Sequence, residues 1–202
     1  PYTQTMVVTV RQPSAVINFT PVVCKDNYVD FTAQTFTDNL VGCGMGYAWF
    51  VDTLAPFIYS NNAMQTFFTT VGMHTVTLRV KDQNGCEDRK TETFRVANPV
   101  PTFTFNHNPI CFSQYPAQLL NLTPQTPDVV NSFTWMYGPP LNSAPFPQLI
   151  QTVTGVGTQT YNFPMGATPS RTFDVKLIAK DVNGCLDSIR HKIQVNNPEA
   201  FI

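Results

Sequence analysis

The stretch "GMHTVTLRVKDQNGCEDRKTETFRVANP" at 72–99 is echoed by "PSRTFDVKLIAKDVNGCLDSIRHKIQVNNP" at 169–198, and the two align without a gap outward from Cys86 and Cys185, 99 positions apart. In the first copy Val76, Leu78 and Val80 alternate with Thr75, Thr77 and Arg79; in the second Phe173, Val175, Leu177 and Ala179 alternate with Asp174, Lys176 and Ile178. A period of two sends successive side chains to opposite faces, so each copy predicts strand, turn and strand with one face buried. Between the strands, Asn84-Gly85 and Asn183-Gly184 are the dipeptide best able to take the positive φ angles of a tight hairpin.

A partial third copy fixes the organisation. "TMVVTVRQP" (5–13) matches "TETFRVANP" (91–99) and "IRHKIQVNNP" (189–198), and upstream "VINFTPVVC" (16–24) faces "TFTFNHNPIC" (102–111). Residues 1–12 therefore read as the last strand of a preceding repeat, 13–97 and 98–196 as two whole units, and 197–202 as the start of a following one. "VDFTAQTF" (29–36), "YAWFVDT" (47–53) and "MQTFFTT" (64–70) carry the middle strands of the first unit; "QLLNLTP" (118–124), "NSFTWMYG" (131–138) and "TQTYNFP" (158–164) do so in the second. The proline-rich "GPPLNSAPFP" (138–147) reads as a loop. With short strands, frequent turn residues and no helical stripe, the fold class is all-β: two tandem immunoglobulin-like β-sandwiches, end to end.

Composition narrows the function. Of 202 residues 43% are hydrophobic and 12% charged, enough for packed cores. A formal net charge of −1 leaves no electrostatic footprint for nucleic acid, and no apolar run is long enough for membrane insertion.

Of the five cysteines, Cys24, Cys86, Cys111 and Cys185 occupy equivalent places in the two units. Pairing Cys24 with Cys86 and Cys111 with Cys185 ties the first strand of each unit to its last hairpin and places the chain in an oxidising, extracellular compartment. The alternative is reduced, buried thiols in a cytosolic protein. Cys43, in the Gly-rich "VGCGMGY" (41–47), has no counterpart.

"YAWFVDT", then Pro56, then "GMHTVTLRVKDQNGCED" resembles the PKD (polycystic kidney disease) repeat, an immunoglobulin-like sandwich. The Asn-Gly-Cys version, with its earlier cysteine, is similar to repeats of very large Bacteroidota surface proteins, including gliding-motility adhesins exported by the type IX secretion system. The resemblance departs where the family reads Trp-Asp-Phe-Gly-Asp-Gly: Trp49 and Trp135 keep their place, but Phe50-Val51-Asp52 and Met136-Tyr137-Gly138 replace the acidic-glycine turn.

Read from the residues themselves, Trp49 and Trp135 are core plugs between sheets. No nucleophile elbow, zinc-helix or phosphate-loop signature is present, and His74, His107 and His191 stand alone in their segments, so the chain is expected to be non-enzymatic and to need no cofactor. Asp82, Asn84, Asp181 and Asn183 also resemble the opening of a calcium loop, but the later ligands of that loop are missing. Asp52-Thr53-Leu54 and Asp187-Ser188-Ile189 look like Bacteroidota O-glycosylation acceptors, at Thr53 and Ser188.

These readings converge on spacer repeats of a giant cell-surface adhesin or filament of gliding motility or surface attachment. Its partners are neighbouring repeats, surface polysaccharide or other cell-surface proteins. The alternative is an accessory polymer- or protein-binding module of a secreted hydrolase, presenting Tyr47, Phe57, Tyr59, Tyr137 and Phe146 to its target.

Overall fold

The computed structural model describes residues 2–6, 13–34, 46–52, 57–59, 62–82, 85–140, 149–164 and 170–197. The chain divides into two units, Pro1–Val96 and Ala97–Ile202. The expected strand within residues 1–12 falls partly on 7–12, outside the described residues; residues 2–6 form no strand.

The first unit is a three-stranded sheet facing a five-stranded one. β1 (Ile17–Asn18), β3 (Tyr28–Ala33) and β6 (Ala63–Phe67) form the small sheet in the order β1-β3-β6. β2 (Val22–Cys24), β4 (Tyr47–Val51), β5 (Phe57–Tyr59), β7 (Gly72–Lys81) and β8 (Glu87–Ala97) form the large one in the order β2-β8-β7-β4-β5.

The second unit repeats this order. β9 (Phe103–Phe105), β11 (Ala117–Asn121) and β14 (Thr158–Tyr161) make its small sheet, ordered β14-β11-β9. β10 (Ile110–Cys111), β12 (Val130–Pro140), β13 (Leu149–Val153), β15 (Ser170–Asp181) and β16 (Leu186–Asn196) make its large sheet, ordered β10-β16-β15-β12-β13. The duplication seen in the residues is thus a duplication of topology.

Alternation decides which face is buried. Along β7, His74, Val76, Leu78 and Val80 are buried while the residues between them are not, and β15 does the same with Phe173, Val175, Leu177 and Ala179. Trp49 stands opposite Leu78 and Trp135 opposite Leu177, so each indole occupies the same node of its sheet. Both are fully buried, Trp49 beside Phe31 at 6.3 Å between rings and Trp135 beside Phe103 at 5.0 Å.

Two local expectations need correction. Gly138, Pro139 and Pro140 belong to β12 and not to a loop: Tyr137 pairs with Val175 but Pro140 pairs with Phe173, one residue too many on the β12 side. That extra residue is a bulge, the place where a sheet tolerates prolines that cannot donate to the ladder. In the second hairpin only glycine has a positive φ. Gly184 (φ 91) donates its N–H to the Asp181 carbonyl at 3.1 Å, and Asp181 N–H reaches the Cys185 carbonyl at 3.0 Å. That is a three-residue turn with glycine in the left-handed position, and the Asn-Gly pair is not its two-residue centre.

Candidate functional site

The cysteines lie at opposite ends of each sandwich. In the second unit β10 adds to β16 in parallel, with Cys111 in register with Asn196, the last residue of β16. Cys185 immediately precedes Leu186, the first. An eleven-residue strand therefore separates the two cysteines. At about 3.3 Å per residue that is more than 30 Å, whereas a disulfide holds its Cα atoms within about 7 Å. In the first unit Pro21, just ahead of β2, accepts the N–H of Arg95 at 2.9 Å, so Cys24 lies at the Arg95 end of β8 and Cys86 before its Glu87 end. Eight residues of strand, roughly 26 Å, separate those landmarks.

The expected pairings Cys24 with Cys86 and Cys111 with Cys185 are therefore wrong. Cys24 and Cys185 are disulfide-bonded, while Cys86, exposed, and Cys111, half-buried, carry free thiols. The repetition identifies which cysteines are equivalent; the parallel addition of β10 to β16, which carries Cys111 away from the hairpin tip, decides which end it occupies. Cys43 lies outside the described residues.

Each hairpin tip marks the end at which the chain enters its unit. Two residues beyond each tip cysteine stands an aspartate that grips the incoming chain. Asp88 Oδ2 accepts from Ala15 N–H at 2.8 Å, and Asp187 Oδ2 accepts from the Asn98 side-chain amide at 2.9 Å. We call this the leading end. Cys86 and Cys185 sit at leading ends, Cys24 and Cys111 at trailing ones.

The tip aspartates have a backbone role. Asp181 is fully buried, and its Oδ1 accepts the N–H groups of Asn183 at 2.9 Å and Cys185 at 2.7 Å, while Oδ2 accepts the Asn183 side-chain amide at 3.3 Å. Asp82 Oδ1 likewise accepts from Cys86 N–H at 2.8 Å. The carboxylate oxygens offered as calcium ligands thus take hydrogen bonds from their own turns, as Asx turns do. Asn84 lies outside the described residues.

The first unit also carries a polar hollow for which the residue pattern offers no sign. It encloses about 190 Å³ and is lined by Val51, Asp52, His74 and the 66–70 segment. His74 Nδ1 lies 2.9 Å from Asp52 Oδ2 and Nε2 lies 3.0 Å from the Thr70 carbonyl, so both ring nitrogens face acceptors. The ring lies against Phe68 and Phe94. Asp52 adopts φ 51, a left-handed conformation that Asp tolerates better than most residues, and its Oδ1 accepts from Thr75 N–H at 2.9 Å. Burial pulls the Asp52 carboxyl up, but the hydrogen bonds from Thr75 and His74, with the histidine's charge, outweigh it and hold the group below its ordinary value. Counting from the tryptophans and tip cysteines, Gly138 and Phe173 occupy these places in the second unit, so the pair belongs to the first unit only.

Other candidates fall apart in space. Tyr47 and Tyr137 are buried and present no face to a polymer, and Phe146 and Thr53 lie outside the described residues. Ser188 is exposed on β16, its N–H donating to Asp187 Oδ1 at 2.6 Å. Among the described residues the exposed aromatic pair is Tyr28 and Phe67, 5.2 Å apart across β3 and β6; the aromatic strip expected from the sequence did not include them. Their signal was legible: each lies on the outward phase of an alternating strand.

No family model matches the chain, and no curated protein matches it. Solved structures similar to it include the fibronectin(III)-like modules of Clostridium thermocellum CbhA, at TM-score 0.40 and 8% identity over 91% of this chain and 94% of that one. Dimeric latent PorU from Porphyromonas gingivalis follows at TM-score 0.37 and 15% identity; 98% of this chain is covered but only 21% of that one. Bacteroides ovatus SGBP-B, solved with a mixed-linkage heptasaccharide, gives TM-score 0.33 and 12% identity over 94% and 46%. The class that the fold defines is the all-β immunoglobulin-like sandwich, here present twice.

Proposed function

We propose that this chain is a pair of non-catalytic, PKD-type spacer repeats from a large secreted cell-surface protein, an adhesin or filament of gliding motility or surface attachment. The observation that carries the reading is the duplication of one topology: two β-sandwich units with the same strand order in both sheets follow one another in a single chain. A persistent disulfide also favours a compartment outside the cytoplasm. Type IX export and glycosylation at Thr53 or Ser188 fit the same reading and await the native protein.

Force spectroscopy tests it. Pulled from its termini under reducing conditions, the chain should lengthen in two steps, one for each unit, of roughly 300 Å each at 3.3–3.6 Å per released residue. A single step, or lengthening without resistance, overturns the mechanical reading. Specific retention on immobilised polysaccharide, abolished by Tyr28→Ala or Phe67→Ala, would favour the accessory-module alternative.

A further inference from the structure

The outward face of the large sheet in the first unit carries a charge pair that the fold leaves unanswered. Arg79 on β7 stands directly opposite Arg89 on β8, and like charges facing each other across two strands repel. Both guanidinium groups are nonetheless drawn to one ring: each Cζ lies 6.0 Å from the centre of Phe50, on β4. Arg89 is two strands removed from Phe50 in the order β8-β7-β4, so its side chain leans across β7 to reach it. A ring face attracts cations and sets their position, but it leaves the in-plane N–H donors of each guanidinium unfilled. Among the described residues neither arginine has a carboxylate or a hydrogen-bond acceptor. The rung on one side offers none, because Glu87 faces Lys81 and is paired with it at 3.3 Å. On the other side Thr77 and Thr91 face each other with hydroxyls 2.8 Å apart, and Thr75 faces Thr93. Three cations against the one carboxylate of Glu87 therefore stand on a chain whose net charge is −1. In the second unit, counted from Cys185 and Trp135, the places of the two arginines and the ring hold Ile178, Ser188 and Met136.

We propose that Arg79 and Arg89, positioned by Phe50, form a binding site for an anionic polysaccharide and close on a carboxylate or sulfate group of its sugars. The choice of polymer rests on the extracellular spacer reading; the demand for an oxyanion comes from the arginines themselves. Two guanidinium forks match such a group, which accepts N–H donors in parallel pairs. Because the ring already holds both forks, less side-chain freedom is lost on binding. The site is an open sheet face, where a single small ion stays largely hydrated and is held weakly. A polymer presents the same group again and again, which raises its effective concentration at the arginines. The threonine rungs beyond them offer hydroxyls that both donate and accept, and hydroxyl-dense sugars suit those rungs better than an acidic peptide does.

Biolayer interferometry of the whole chain on immobilised polygalacturonate and dextran sulfate, with neutral dextran as the blank, tests this. Arg79→Gln with Arg89→Gln should weaken binding to at least one polyanion by roughly tenfold, since each exposed ion pair is worth up to about fivefold. Which polymer responds tells carboxylate from sulfate. Lys25→Gln with Lys90→Gln removes the same charge elsewhere and should cost less than about twofold, because solvent and salt screen distant charges. Lysine at both arginine positions keeps the charge but loses the fork, so its affinity should fall between parent and glutamine variant. Phe50→Leu should weaken binding with no change of charge. The glutamine double variant, freed of like-charge repulsion, should melt no lower than the parent, which separates lost binding from lost folding. Equal losses for the arginine and lysine doubles overturn the proposal, as does failure to bind either polyanion. Polyglutamate bound as tightly as polygalacturonate also overturns it, in favour of an acidic protein. The spacer reading fails on a different observation, the lengthening under force, so the two failures are distinguishable.

Discussion

Asp181 Oδ1 accepts the backbone N–H of Cys185 at 2.7 Å from a fully buried position, and the same oxygen holds Asn183 N–H at 2.9 Å. One carboxylate thus organises the turn that presents the disulfide-bonded cysteine. Asp181→Ala leaves two amides without their acceptor and should cost about 1–3 kcal/mol, with Tm falling by roughly 4–8 °C per kcal/mol for a unit of this size. Asp181→Asn keeps an oxygen in place and should lose less. A chelator should leave Tm unchanged, since these oxygens already serve amides; a drop on adding EDTA would mean that the turn holds a cation.

The two indoles should behave alike. Trp49 and Trp135 are fully buried, and neither ring N–H has a hydrogen-bond partner among the described residues, so packing alone holds them. Trp49→Ala or Trp135→Ala should each cost about 3–5 kcal/mol in urea unfolding. Phe at either place fills more of the site and leaves no orphan donor, so it should recover a good part of the loss. Equal losses for Ala and Phe would show that the indole does more than fill space.

The sheets were legible because their information is local. Period-two alternation around Leu78 and Leu177 gave strand, face and equivalence directly, and the position of each Trp gave the core. What local pattern could not supply was direction across the sheet. Whether β10 joins β16 parallel or antiparallel is decided by pairing between residues such as Ile110 and Val195, far apart in sequence, and that choice moved Cys111 from one end of the sandwich to the other. The Asp52–His74 pair was hidden for the same reason: its partners come from two strands and meet only because Val51 pairs with Val76.

That pair predicts an acid limit. The Asp52 carboxyl is held below its ordinary value of 3.8 in the folded chain, so its contribution is complete above that pH and is lost as pH falls through the lower folded value. Its side chain is 41% exposed, and solvent screening keeps the effect under about 1 kcal/mol. Asp52→Asn, which tolerates the same left-handed backbone, should lower stability slightly near neutrality and converge with the parent in strong acid. High salt should shrink the difference. A gap that widens on acidification would reverse the sign and remove the pair as its cause.

At the alkaline side the second unit should yield through its tyrosines. Tyr137 is fully buried, stacks on Tyr161 at 4.0 Å between rings, and its hydroxyl has no partner among the described residues. Burial, with Tyr161 adding to it, pushes the Tyr137 phenol far above its ordinary value of 10. Burial also raises Tyr161, and it raises Tyr115 to about 12. A folded state that keeps these protons after the unfolded chain has lost them is fully stable below pH 10 and weakens as pH rises towards the folded values. Urea midpoints across that range, with the free thiols alkylated beforehand to prevent disulfide exchange, should fall steadily for the parent. Tyr137→Phe should flatten the fall and leave stability near neutrality unchanged or slightly higher, because it deletes a buried hydroxyl that bonds to nothing described. If the variant falls as steeply as the parent, the alkaline loss belongs to other groups.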